Sequence, residues 1–259
     1  MLRQMKARLA LLAVALLLLA GCGSTDGGGS SGRGGDLLVS AATSLKRAFT
    51  SYGEAFESAD VQLSFAGSDE LAAQIRSGAK PDVFAAANTK LPAQLFAEGL
   101  VEKPQTFASN RLALAVPASG SKVRSIADLA DAGVTIAIGS KSVPVGAYTR
   151  TVLDRLDAGE RRRILANVRS EEPDVGGIAA KLTQGAVDAG FLYVTDVAAT
   201  NGRLQAIALP TRLQPDVAYA VAVVKDARHP QPARAFVAGL LQGAGADALR
   251  AAGFRSPAR

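Results

Sequence analysis

From residue 37 onward, short apolar runs alternate with stretches in which apolar residues recur every three or four positions. That is the pattern of strands followed by amphipathic helices. Residues 37–42 read as a buried strand. Leu45, Ala48, Phe49, Tyr52 and Phe56 then mark one helix face, with Ser44 in the cap position. Val61, Leu63 and Phe65 alternate with polar residues, and Gly67 breaks that strand. Ser68, a preferred N-cap type, precedes Asp69, Glu70 and a helical run from Leu71 to Arg76 that stops at Gly78. Residues 80–88 hold a third short strand and residues 91–98 a helix. Residues 112–117 form a further strand, which Pro117 ends.

A second series follows. A short helix is predicted over 126–130, a strand over 134–139, and a turn at 142–146 with Pro144 at or just before a first helical turn. Tyr148, Val152 and Leu156 share one helix face. A short strand at 167–169 leads to Asp174-Val175-Gly176-Gly177 and a helix carrying Ile178, Ala179 and Leu182, ended by Gly185. Buried strands are predicted at 191–194 and 204–209, and a long alternating strand at 217–224. Helices around 232–241 and 246–252 close the chain. Strands alternating with helices imply α/β architecture with a parallel sheet, and two such series joined by extended strands suggest two lobes.

The 259 residues are 48% hydrophobic, which permits one large domain or two smaller ones. The formal net charge is +6. Arg3, Lys6 and Arg8 lie in an N-terminal segment with the shape of a removable signal, and without those three the charge falls to +3. That excess is too small to argue for nucleic acid, and Arg161-Arg162-Arg163 reads as a solvated helix face. With one Cys and one His, neither a Cys/His zinc site nor a structural disulfide can be built. His229, before Pro230 in a polar loop, reads as exposed and inert.

The apolar run at 9–20 is short for a membrane span and follows three basic residues, as in a signal peptide. It ends Leu19-Ala20-Gly21-Cys22, which resembles the bacterial lipobox. The resemblance implies acylation of Cys22, which becomes the anchored N-terminus. Residues 23–35 are rich in Gly and Ser and read as a flexible linker.

Ser44, Ser68, Val145-Gly146 and Val175-Gly176 all fall where a helix is predicted to begin. No Lys or Arg lies inside any of these turns. Ordinary capped helices explain Ser44 and Ser68 one at a time. If the four turns meet across a cleft, they form a site of neutral donors suited to a compact oxyanion, because helix N-termini combine free N–H groups with a favourable dipole. Tyr193, at a strand end, could add a phenol O–H, or could be a core tyrosine.

The chain here resembles the extracytoplasmic molybdate-binding proteins of ABC transporters. The resembling stretches are Ala41-Ala42-Thr43-Ser44-Leu45, residues 64–71, residues 81–88 and Val143-Pro144-Val145-Gly146-Ala147-Tyr148. Residues 188–196 and Gly253-Phe254 complete them, in the family's order. The resemblance implies a two-lobed periplasmic-binding-protein (type II) fold, each lobe a mostly parallel sheet flanked by helices. It implies an extracytoplasmic, lipid-anchored monomer that closes on molybdate or tungstate and delivers it to a membrane permease, with no cofactor, no nucleic-acid partner and no catalysis. Carried over by motif, the contacts to the anion's oxygens are Ser44, Ser68, Val145, Val175 and Tyr193, with no direct ligand to the metal. The expected organisation is a signal peptide at 1–21 and a linker at 22–35. The first lobe spans 36–116, the second 117–216, and a segment at 217–259 returns to the first. Asp69-Glu70 depart from the family's usual Ser or Thr after the second binding serine, and Val145 replaces a commoner Ala.

Sulfate, thiosulfate and phosphate are the rival solutes. Phosphate keeps a proton near neutral pH, so its site benefits from an acceptor, and Asp69 is the candidate. An enzyme on this scaffold lacks support, since no Ser-His-Asp set, metal cluster or P-loop is evident.

Overall fold

The computed structural model describes residues 35–257, all of them in one compact unit. The signal peptide, Cys22 and nearly all of the expected linker lie outside the described residues. No helix among the described residues is long and apolar enough to cross a membrane.

The first series runs β1 (Asp36–Ala42), α1 (Lys46–Glu54), β2 (Asp60–Ala66), α2 (Ser68–Arg76), β3 (Val83–Ala86), α3 (Lys90–Ala97) and β4 (Gln105–Asn110). The second runs β5 (Leu112–Pro117), β6 (Ile136–Gly139), α4 (Pro144–Asp154), α5 (Ala158–Ala166), β7 (Val168–Glu172), α6 (Val175–Thr183), β8 (Ala189–Tyr193), α7 (Val194–Ala198) and β9 (Leu204–Ala208). Then come β10 (Val217–Val223), α8 (Pro230–Leu241) and α9 (Ala244–Ala251).

These strands make two five-stranded sheets, in the orders β2-β1-β3-β10-β4 and β7-β6-β8-β5-β9. In each, three neighbouring strands run parallel and two complete the sheet antiparallel. The result is a two-lobed α/β fold of the expected kind, with mixed sheets.

Local sequence explains most elements. β3, buried along its whole length, is a central strand; α1 turns Ala48, Phe49 and Tyr52 inward. α2 and α6 end at Gly78 and Gly185, whose φ values of +99° and +71° suit a left-handed residue after a helix. Pro144 occupies the first turn of α4. That helix leaves β6 so tightly that a Cβ on Gly146 would overlap the carbonyl oxygens of Ser140 and Gly139.

The lobe boundary needs correction. The expected first lobe, 36–116, included residues 112–116, but β5 pairs with β8 and β9 in the second sheet. The crossover therefore falls at Arg111, and the last strand of the first lobe before it is β4. β5 is apolar nearly throughout and buried, so no alternation shows which sheet it joins, while the polar β4 carries no strand signal of its own.

His229 also differs from its reading. Its backbone N–H donates to Asp82 Oδ1 at 2.8 Å, and its Nδ1 lies 3.5 Å from Asp82 Oδ2. Asp82 is buried and also accepts from the Leu38 N–H, tying the start of β1 to the start of α8.

Candidate functional site

A small cavity of about 20 Å³ lies between the lobes, where β1, β2, β3 and β8 end. All five residues expected at the site line it: Ser44 and Ser68 from the first lobe, Val145, Val175 and Tyr193 from the second. No Lys, Arg or His lines it, and its one carboxylate is Asp174 rather than Asp69.

The helix starts around the cavity carry free donors. α2 begins after Gly67 and α4 after Val143, and neither has a side-chain cap. The first N–H groups of a helix have no partner within it, so buried uncapped starts call for an outside acceptor. At α6 the Asp174 side chain caps the Gly177 N–H at 3.0 Å, leaving the N–H groups of Val175 and Gly176.

Neither serine is the plain cap that the sequence suggested. Ser44 sits inside a short 3-10 turn, Thr43–Leu45, with no side-chain cap bond there, and Ser68 is the first residue of α2, after the cap residue Gly67. The Ser68 Oγ instead accepts from the Ala87 N–H at 3.1 Å, which leaves its proton to donate elsewhere. The Ser44 Oγ lies 3.1 Å from the Tyr219 hydroxyl. Tyr193 is 1% exposed, and its hydroxyl has no hydrogen-bond partner among the described residues. Burial, with the neighbouring Tyr219, Tyr148 and Asp196, holds its pKa well above the usual tyrosine value, so the phenol stays a neutral donor. Asp196 accepts from the Tyr193 N–H at 3.1 Å. Burial, and secondarily the charge of Asp174, pushes the Asp196 pKa up to about 7 against that hydrogen bond.

The lobes touch beside the cavity. The Thr43 Oγ1 donates to Asp174 Oδ2 at 2.7 Å across the seam. A Cβ on Gly67 would sit 2.5 Å from the Pro173 carbonyl oxygen, so only glycine permits this approach. The structure is thus a closed form. Thr43, Asp174 and Tyr219 were missed by sequence reasoning. Thr43 adjoins Ser44 and Asp174 precedes Val175, so adjacency to candidate residues was the available signal. Tyr219 reads only as one apolar position of an alternating strand.

A sequence profile of the bacterial extracellular solute-binding proteins matches residues 37–255. The chain is 35% identical over 258 residues to the molybdate-binding protein ModA of Mycobacterium tuberculosis, covering 94% of this chain and 96% of that protein. It superposes on the substrate-binding domain of a putative molybdenum ABC transporter from Clostridium difficile with a TM-score of 0.66, at 27% identity over 86% of this chain and 100% of that one. The periplasmic molybdate-binding protein of Azotobacter vinelandii shares the fold, with a TM-score of 0.76 at 22% identity over 85% of this chain and 99% of that one.

Proposed function

The chain belongs to the bacterial extracellular solute-binding proteins, and from that premise we propose that it captures molybdate or tungstate between its lobes and delivers the anion to an ABC import permease. One observation carries the choice of ligand chemistry. Two uncapped helix starts, two serine hydroxyls and an unpartnered buried phenol converge on one cavity that no cationic side chain enters. Such a site balances a dianion by hydrogen bonds and helix dipoles.

In this reading Ser44, Ser68 and Tyr193 donate O–H groups, and Val145 and Val175 donate backbone N–H groups. The fully deprotonated anion needs only donors. A protonated phosphate needs an acceptor, and the one carboxylate that lines the cavity, Asp174, has each of its oxygens engaged, by Thr43 and by the Gly177 N–H. No catalytic step is required, in keeping with a family of binding proteins. Cys22 is the proposed lipid anchor. Cys22→Ser should release the protein from membranes in a host that processes lipoproteins, and equal partitioning of both forms would remove that assignment.

The test of the ligand is a thermal-shift series with molybdate, tungstate, sulfate and phosphate. A ligand at 100 times its Kd adds about 2.7 kcal/mol to native stability. Molybdate and tungstate should raise the melting temperature at concentrations where sulfate and phosphate do not. A shift with sulfate or phosphate alone would overturn the proposal.

A further inference from the structure

Ser44 does not face the cavity unsupported. Tyr219, on β10, is fully buried beside it, with its hydroxyl 3.1 Å from the Ser44 Oγ. Behind Tyr219 lies Asn110, the last residue of β4, immediately before the crossover between the lobes. The Asn110 Oδ1 accepts from the Arg111 N–H at 2.9 Å, and a backbone N–H can only donate, which fixes the amide's orientation. The Asn110 Nδ2 therefore points the other way. It donates to Thr195 Oγ1 at 2.8 Å, in α7 of the second lobe. All four side chains are buried.

The direction of the relay follows. Tyr219 has one proton to place, and the acceptor in reach among the described residues is the Ser44 Oγ; donation the other way would leave that buried proton without an acceptor. Ser44, its oxygen receiving from Tyr219, then keeps its own proton for the cavity. Hydrogen bonds in such a chain polarise one another toward the same end.

We infer that Tyr219 is a positioning residue for oxyanion capture, whose hydroxyl obliges Ser44 to present its proton to the anion. This inference rests on the oxyanion-binding reading of the cavity. Tyr219 touches no ligand itself; it acts through Ser44. Tyr193 packs against it, with ring centroids 5.7 Å apart, so the site hydroxyls contributed by the two lobes meet at this one ring.

A double-mutant cycle tests the inference. Calorimetric titration with molybdate is run on wild type, Ser44→Ala, Tyr219→Phe and the double variant. Tyr219→Phe should weaken binding about tenfold in the wild-type background, and change it less than about twofold once Ser44 is alanine, because the relay then has nothing to orient. Loss of a hydroxyl that merely supports the fold would weaken both backgrounds alike. Equal losses in the two backgrounds, or wild-type affinity in Tyr219→Phe, would overturn the role of Tyr219 while leaving molybdate binding in place. A wild-type protein that does not bind molybdate would overturn the binding reading and this inference together. Should Tyr219→Phe fail to fold, para-fluorophenylalanine placed at position 219 keeps the ring and its bulk and removes only the hydroxyl proton. It should give a loss of the same sign, again absent in the Ser44→Ala background, and equal losses there would overturn the inference too.

Discussion

The buried hydroxyl of Tyr193 permits a test in which binding and stability move apart. Tyr193→Phe removes one oxygen and keeps a ring that contacts Tyr148 and Tyr219, with centroids 6.3 and 5.7 Å away. That oxygen has no partner among the described residues. Leaving a buried polar group unpaired costs about 1–3 kcal/mol, so its removal from the free protein relieves a cost rather than breaking a bond. Where a water meets the phenol in the ligand-free protein, the relief shrinks toward zero but does not change sign. The ligand-free variant should thus melt at or above the wild-type temperature, by about 2–4 °C for each kcal/mol gained at this chain size. Molybdate binding should move the other way. A hydrogen bond to a charged partner contributes about 1.5–3 kcal/mol, so Kd should rise roughly tenfold to a hundred-and-fiftyfold. Calorimetric titration beside melting curves of the free protein measures both. A variant that melts below wild type yet binds molybdate with wild-type affinity would refute the reasoning, since Tyr193 would then be a core residue with a structural bond.

Three further outcomes are expected. Thr43→Val deletes the hydroxyl that reaches Asp174 across the seam and should weaken binding about fivefold, chiefly through faster release, because only the closed form has this bond; stopped-flow rates check it, and an unchanged off-rate refutes it. X-ray scattering should show the radius of gyration falling as molybdate is added, toward the closed form described here, and an unchanged value under saturation would mean that the free protein is already closed. Asp196, pushed up to about 7 in the folded protein, costs stability as pH rises from the ordinary carboxylate range through 7, because the unfolded chain ionises first. Asp196→Asn, whose side-chain oxygen can still accept from the Tyr193 N–H, should raise the melting temperature more at pH 8 than at pH 5, and an equal rise at both would refute the assignment.

Local sequence was enough to place most of the strands and helices, to show that they form two series, and to put helix starts at or beside Ser68, Val145 and Val175. These follow from patterns of period two and three to four, from Gly78 and Gly185 as stops, and from Pro144 as a first-turn residue, all of which act within a few residues of chain. Tertiary packing set which sheet each strand joined. β5 is apolar nearly throughout and reads alike in either sheet, and β4 is too polar to announce itself. It also decided what each polar atom does. Ser68 reads as a cap from its neighbours, yet its oxygen is claimed by Ala87, 19 positions away. Thr43 meets Asp174 across 131 positions, and Ser44 meets Tyr219 across 175. Propensity and periodicity are set by adjacent residues, whereas the direction of a hydroxyl proton is set by whichever donor the fold brings against its oxygen, and that donor can lie anywhere along the chain.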